Sequence, residues 1–229
     1  MKVIILAGGF GTRVEHLGNG KPKPLLEVGG VALLEWHIGY LLQQGIRDIR
    51  LSLYHKADQI IDFCERKWPG AIEFIVEPVP LGTGGALKFA SRDLHESFVA
   101  LHADDIIRGI DVHDFFSRGP NQMACIRVED ARGFGLVDIH EEHIAHFLEK
   151  PIEKVAGHIN GGWYVLDPGI FDRFSQGSFM MEREVFPKLA HEGRLRAYIH
   201  KGYWCPAGTE EQLRRAEDDH LRGVTFYFG

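Results

Sequence analysis

Three stretches of this chain place residues suited to gripping a polyanion. The first is Leu6-Ala7-Gly8-Gly9-Phe10-Gly11-Thr12-Arg13, directly after the apolar run Val3–Leu6. Glycines let backbone N–H groups approach an anion closely and permit positive φ. Arg13 adds a planar, permanently charged fork that matches phosphate oxygens. The second is Lys21-Pro22-Lys23-Pro24. Pro22 fixes its own φ and Pro24 biases Lys23 toward extended backbone, so the spacing predicts a lysine whose direction is restricted before any ligand arrives. The third is Phe98-Val99-Ala100-Leu101-His102-Ala103-Asp104-Asp105, a buried strand running into two carboxylates. Acids just beyond a parallel strand face the ligand crevice, and Mg²⁺ favours one or two carboxylates together with phosphate oxygens.

Two common phosphate loops are excluded by context. A P-loop needs a Lys after its last glycine, and Thr12 follows Gly11. The dinucleotide fingerprint needs a third glycine where Val14 sits and a helix opening there. Residues 15–24 instead read Glu-His-Leu-Gly-Asn-Gly-Lys-Pro-Lys-Pro, which cannot be a regular helix.

The elements that must position these residues follow from hydrophobic periodicity. Strands are predicted at Val3–Leu6, Ile49–Leu53, Ile72–Val76 and 98–101. Helices are predicted at 33–44, with Leu34, Ile38, Leu41 and Leu42 on one face, at 57–68, with Ile60, Ile61, Cys64 and Trp68 aligned, and at 84–90, with Thr83 as N-cap. This alternation implies an α/β fold, a Rossmann-like, doubly wound and mainly parallel sheet. The second half changes character: strands at 123–128, 135–139, 144–148 and 163–166 suggest an added mixed or antiparallel subregion, and helices return at 168–174, 182–191 and 210–222. Thr209 and Gln212 form a candidate capping box for the last helix.

Composition fits a soluble globule. Acidic residues outnumber basic ones, 32 to 26, for a formal charge of −6, which argues against a nucleic-acid binder relying on overall positive charge. No apolar run approaches the ~18 residues of a membrane span, and no secretory leader is read at the start. Cys64, Cys125 and Cys205 are odd in number and far apart, which fits a reducing cytoplasm. The thirteen histidines show no metal-ligand spacing. The apolar end, residues 224–228, suggests either packing on its own domain or a subunit contact, and with it a homodimer.

The run L-A-G-G-F-G-T-R followed by K-P-K-P-L-L resembles the signature of the sugar-1-phosphate nucleotidyltransferases, the nucleotide-sugar pyrophosphorylases. The resemblance extends along essentially the whole chain, from Met1 to about His220. It implies that the glycine loop, with Leu6, Ala7, Gly8, Gly9, Gly11, Thr12 and Arg13, wraps a nucleoside triphosphate, and that Arg13 and Lys23 bind phosphates. It implies Asp104 as the Mg²⁺ ligand, in a motif where His102 and Ala103 depart from the family pattern, with Asp105 as an adjacent acid. Glu77-Pro78-Val79-Pro80-Leu81-Gly82-Thr83-Gly84-Gly85-Ala86 resembles the segment that contacts the base, with Pro80, Gly82, Thr83, Gly84 and Gly85 as candidates. The missing Cβ atoms of Gly84 and Gly85 would let a flat base lie on the backbone. Glu77 suits the adjacent N1–H and N2–H donors of guanine, since a carboxylate accepts two parallel hydrogen bonds; a solvated strand-end glutamate is the other reading.

The sugar phosphate falls, by the same resemblance, to Glu149 and Lys150 in F-x-E-K-P and to Asn160 and Gly161, with Gly135 beside them. Pro151 stops the strand, so that Glu149 and Lys150 reach one pocket. At Pro206 the family carries an Asp, its second metal ligand; here Asp105, water and triphosphate are expected to complete the sphere. The chain is expected to be one nucleotidyltransferase domain: residues 1–120 nucleotide-binding, 121–205 sugar-phosphate-binding, and 206–229 a helix and apolar tail. No C-terminal acyltransferase domain is expected. The implied reaction joins GTP, or another nucleoside triphosphate, to a sugar 1-phosphate. The overall look is similar to the D-glycero-α-D-manno-heptose 1-phosphate guanylyltransferases, which make GDP-heptose for bacterial surface polysaccharides. A mannose 1-phosphate guanylyltransferase and an amino-sugar uridylyltransferase are the enzyme alternatives. A catalytically weak nucleotide-binding regulator and a glycosyltransferase are the alternatives of other classes.

Overall fold

A computed structural model of the chain describes residues 1–224; most of the apolar end lies outside the described residues. In chain order the strands are β1 (Val3–Leu6), β2 (Glu27–Val28), β3 (Val31–Ala32), β4 (Ile49–Leu53), β5 (Ile72–Val76), β6 (Phe98–His102), β7 (Asp105–Arg108), β8 (Gln122–Val128), β9 (Gly135–His140), β10 (His143–Glu149), β11 (Gly157–Leu166), β12 (Arg196–His200) and β13 (Tyr203–Pro206). The helices are α1 (Leu33–Gln43), α2 (Ala57–Lys67), α3 (Gly82–Ala90), α4 (Val112–Ser117), α5 (Phe186–His191) and α6 (Glu210–Leu221). The chain divides into two compact units. One comprises Met1–Val79, His102–Val112 and the chain from Gly202; the other comprises Pro80–Leu101 and His113–Lys201.

The first unit holds the parallel strands β1, β4 and β5, with Val3 beside Ile49 and Ile49 beside Ile72. All five residues of β4 are buried, as expected of a central parallel strand. The charged residue there is compensated: Arg50 donates through Nε and Nη2 to the two oxygens of Glu73 opposite it on β5, at 2.8 and 2.7 Å. Helix α1 is buried on more than one face. Its Trp36 donates from Nε1 to the Val28 carbonyl at 3.2 Å and sits in a cluster with Val14, Ile106, Cys205 and Ala216. The antiparallel pair β7–β13 completes this unit, with Pro206 opposite Asp105.

The second unit is a mixed sheet. β11 runs antiparallel to β6 at its carboxyl end and to both β8 and β9 near its start. β8 pairs in parallel with β12, β12 touches β10, and β10 pairs with β9, so the strand order returns on itself. The expected mixed or antiparallel addition is therefore present, and its strands are longer than the apolar runs alone suggest. β11 covers Gly157–Leu166 rather than 163–166, because its first half alternates and contains glycines. β12, β13, β7 and the β2–β3 hairpin carried no strong apolar run. The helix expected at 168–174 is a 3₁₀ segment, Pro168–Arg173, and the one expected at 182–191 is a π turn, Met181–Val185, leading into α5.

Candidate active site

In the first unit the glycine loop leaves β1 and is held from two sides. The Ala7 N–H donates to the Ser52 carbonyl at 2.9 Å, and the Ala103 N–H donates to Leu6 at 3.1 Å. The His55 N–H donates to the Gly8 carbonyl at 3.2 Å, and a Cβ on Gly8 would lie 2.8 Å from the Tyr54 nitrogen. Gly11 turns the chain with φ +62°, and a Cβ there would meet Lys23 Cβ at 2.7 Å. The close approach between the loop and the lysine segment therefore needs glycine twice over. Gly9, Phe10, Thr12 and Arg13 are exposed. The Arg13 guanidinium runs along Gly208, and among the described residues no carboxylate pairs with it.

Lys23 is not extended, as expected, but opens a 3₁₀ turn, Lys23–Leu25, with Pro22 as its cap at φ −69°, ψ 153°. Proline is tolerated inside a first helical turn because the N–H it lacks has no partner there, which overrides the pre-proline bias. The restriction on Lys23 comes from tertiary contact: its side chain is 9% exposed, and Nζ lies 3.2 Å from Oδ2 of Asp104. Asp104 itself is 45% exposed. Its main chain is fixed by the Ala207 N–H at 3.0 Å, and His102 Nδ1 lies 3.9 Å from Oδ1. Burial works against ionisation of Asp104, but the charges of Lys23 and His102 outweigh it and hold the carboxyl below its usual range. The group is therefore an anion with an open side. His102 closes β6 two residues before Asp104, and that proximity in the chain is the one local signal for it.

The structure does not bring Asp105 to the same use. Its Oδ2 accepts from Trp204 Nε1 at 2.9 Å, and burial together with the Asp104 charge pushes it up to about 7. Among the described residues no group of three or more His, Cys, Asp or Glu is arranged to hold a metal. The donor set fits a magnesium that arrives with triphosphate and keeps waters, resting on Asp104; it does not fit a resident metal caged by protein. Glu77 is no solvated strand-end residue: it is buried, it accepts from Ser52 Oγ at 3.2 Å, and its N–H donates to Leu53 at 2.8 Å.

In the second unit, Pro80 is exposed and α3 begins at Gly82, one residue before Thr83. Thr83 is therefore not the N-cap. Its hydroxyl donates to Glu182 Oε2 at 2.6 Å and accepts from the Met181 N–H at 2.9 Å. The glycines have a packing reason as well. A Cβ on Gly84 would lie 2.4 Å from the Phe179 ring, and one on Gly85 would lie 2.4 Å from the Gly177 carbonyl. Both N–H groups donate to the Phe179 carbonyl, at 3.0 and 3.2 Å. The space expected to take a flat base is filled there by protein. Glu182 carries no local signal, since it lies inside an expected helix.

Three other candidates in this unit share a row across the sheet. Gly135 on β9 pairs with Glu149 on β10. Ile159 on β11 pairs with Leu136, so continuing the register by one residue places Asn160 beside Gly135. Side chains in one row point to one face, and the missing side chain of Gly135 makes room for the Phe147 ring edge and Glu149 Oε2, 2.5 and 3.2 Å from a Cβ built there. Lys150 has φ +52°. That turn brings its Nζ back to 3.0 Å from Glu149 Oε1, so the two side chains, which a regular strand would send apart, meet. Asn160 Oδ1 accepts from the Gly162 N–H and the Tyr164 hydroxyl, both at 2.9 Å, which leaves its Nδ2 to donate outward. Gly161 passes so close to β8 that a Cβ would lie 2.8 Å from the Ala124 carbonyl.

The chain belongs to the nucleotidyl transferase family, whose model matches residues 2–223. It is 33% identical to the mannose-1-phosphate guanyltransferase of Schizosaccharomyces pombe over 99% of the chain, and 32% identical to the mannose-1-phosphate guanylyltransferase of Mycobacterium tuberculosis over 96%. The chain spans 64% of the length of the first relative and 65% of the second. Among solved structures it resembles HddC from Yersinia pseudotuberculosis complexed with GMP-PN, with a TM-score of 0.83 and 32% identity over 96% of this chain and 99% of that one. It also shares the fold of a UDP-glucose pyrophosphorylase, with a TM-score of 0.81 at 18% identity, covering 97% of this chain and 98% of that one. No helix of the described residues is long and apolar enough to cross a membrane.

Proposed function

We propose that this chain transfers a guanylyl group from GTP to a sugar 1-phosphate, releasing pyrophosphate. The observation that carries the proposal is the Lys23–Asp104 pair, 3.2 Å apart, with the lysine seated against Gly11 of the exposed glycine loop. A buried-stem cation and an ionised, half-open carboxylate side by side suit a triphosphate and the cation that accompanies it. Guanine as the base is supported by the mannose-1-phosphate guanylyltransferase relatives and by the likeness to HddC complexed with GMP-PN. A carboxylate such as Glu77 matches the paired donors on the guanine edge in type, although one of its oxygens already accepts from Ser52.

The chemistry asked of the residues is alignment and neutralisation. A sugar phosphate oxygen attacks the α-phosphorus in line, its P–O bond forms as the bond to the pyrophosphate oxygen breaks, and the leaving group carries off the electron pair. The nucleophile is already an anion, so no general base is required. The amides of Gly8, Gly9, Gly11 and Thr12 with Arg13 and Lys23 hold the triphosphate; Leu6 and Ala7 lead into the loop. Pro80, Gly82 and Thr83 border the base, with Gly84 and Gly85 behind them. Asp104 would hold magnesium, which when bound supplies charge neutralisation on the phosphate oxygens. Lys150 holds the sugar phosphate. Glu149 and Asn160 hold sugar hydroxyls as acceptor and donor, over Gly135 and Gly161.

For the sugar, the heptose reading rests on L-A-G-G-F-G-T-R with E-P-V-P-L-G-T-G-G-A and on the likeness to HddC; mannose rests on the curated relatives. A pyrophosphate-release screen of GTP and UTP against heptose, mannose and amino-sugar 1-phosphates tests both. Turnover with GTP and one of the first two sugars is expected. A preference for UTP would remove the guanine argument. The position of Pro206, opposite Asp105 where the family has its second acid, motivates one other reading, a nucleotide-binding regulator. GTP binding by calorimetry without turnover on any sugar would favour that reading.

A further inference from the structure

Residues 177–186 connect two sets of candidate site residues in the second unit through continuous contact. At one end they grip the turn that opens α3. The Phe179 N–H donates to the Leu81 carbonyl at 3.0 Å, the Phe179 carbonyl accepts from Gly84 and Gly85, and the Met181 N–H donates to Thr83 Oγ1. Thr83 in turn donates to Glu182 Oε2 at 2.6 Å. Phe179 is also stacked on Phe174, with ring centroids 5.0 Å apart and planes 10° apart. Phe174 is itself fixed by Lys88 of α3, whose Nζ donates to its carbonyl at 2.5 Å.

The segment then passes through a π turn, where the Phe186 N–H donates to the Met181 carbonyl five residues earlier. Such turns are rare, carry one residue more than an α turn, and concentrate at functional sites. At the far end the fully buried Phe186 ring lies 5.5 Å from Phe147 and 4.9 Å from Tyr164. Phe147 covers Gly135 and stands two residues before Glu149. The Tyr164 hydroxyl holds Asn160 Oδ1 at 2.9 Å.

We propose that residues 177–186 form a positioning strap that sets the Leu81–Gly85 turn and the Glu149/Gly135/Asn160 row together, with Thr83, Glu182 and Phe186 as its positioning residues. A hydrogen bond from a hydroxyl to a carboxylate in a buried setting fixes direction as well as distance. A packed ring cluster transmits displacement because it has no free volume to absorb it. Glu182 therefore anchors one end and Phe186 the other, and the π turn between them is the joint that keeps the two in register. What the strap positions rests on the reading of the site given above; that it links the two places does not.

Hydrogen exchange followed by mass spectrometry on the intact chain tests the link without requiring turnover. Glu182→Ala is expected to speed exchange about 5-fold or more both in Leu81–Ala90 and in Gly157–Leu166, the lower end of typical site-to-site coupling. Glu182→Gln, which keeps an acceptor for Thr83, is expected to stay near the parent. Phe186→Leu, perturbing the opposite end, must loosen the α3 turn reciprocally, while α2 in the other unit keeps its protection in all variants. Loosening confined to Leu81–Ala90 in Glu182→Ala, and to Gly157–Leu166 in Phe186→Leu, overturns the proposal, as does equal loosening of α2. With GTP and mannose 1-phosphate, Glu182→Ala is expected to raise both KM values, with rescue by Glu182→Gln. Failure of the parent to turn over any substrate pair would sink the proposed reaction but leave the exchange result to decide the strap.

Discussion

Three neighbouring glycines meet different demands, and Gly9 isolates the one that a ligand would impose. At Gly8 a methyl group would lie 2.8 Å from the Tyr54 nitrogen, and at Gly11 it would meet Lys23 at 2.7 Å in a residue with φ +62°. Both substitutions disturb the protein itself; the left-handed conformation alone costs Gly11→Ala about 1–2 kcal/mol. At Gly9 nothing lies within 4 Å, and φ is outside the left-handed region. Gly9→Ala should therefore leave the fold as stable as before or raise its stability by about 0.4–1 kcal/mol through the unfolded chain. If phosphate rests on this backbone, the methyl holds it off. Weakening a hydrogen bond to a charged group costs about 1.5–3 kcal/mol, which is roughly 10- to 100-fold at 1.4 kcal/mol per decade. The assay is kcat/KM for GTP by pyrophosphate release, with the melting temperature alongside. A loss of that size with unchanged melting is expected. Gly9→Ala turning over at the parent rate would refute the placement of phosphate on the loop.

Asp104→Asn and Lys23→Met should each lower kcat about 10²-fold with the fold retained by circular dichroism; parental turnover by Asp104→Asn with Mg²⁺ would remove the metal assignment. The three cysteines are buried, and burial pushes the thiols of Cys64 and Cys125 up to about 12 and that of Cys205 upward too. A thiol reagent at pH 8 should thus label none of them until denaturant is added, and rapid native labelling would contradict the packing. The Arg50 hydrogen bonds, with help from Lys2, hold Glu73 below its ordinary value. Its contribution to stability is therefore present above the unfolded carboxylate pKa and is lost as pH falls through the lower folded value. Urea midpoints measured from pH 6 to pH 3 should fall less steeply in Glu73→Gln than in the parent, and parallel profiles would show that the pair contributes nothing.

The glycine loop, Lys23 and Asp104 were legible because their signals are local. A glycine run after an apolar strand, a cation among prolines and an acid closing a strand each lie within a few residues. The parallel strands β1, β4 and β5 and the helices between them were legible for the same reason, since burial on one face or both leaves a period in the chain. Thr209 likewise caps α6, accepting from Gln212 N–H at 3.2 Å. The reciprocal bond goes elsewhere: Gln212 Oε1 accepts from Gly208 at 2.9 Å.

The sequence by itself determined which residue types stand at the ends of which strands, and so the class of ligand they suit. Only the tertiary structure decided how each is held. Lys23 is aimed by Asp104, 81 positions away, and not by its flanking prolines. Asp105 is taken by Trp204, and Gly84 and Gly85 make room for Phe179 and Gly177. Glu182 reaches Thr83 across 99 residues. Propensity and periodicity act over a turn or two of chain, whereas a hydrogen bond or a steric fit depends on distance in space, and no local pattern encodes which distant partner will arrive there.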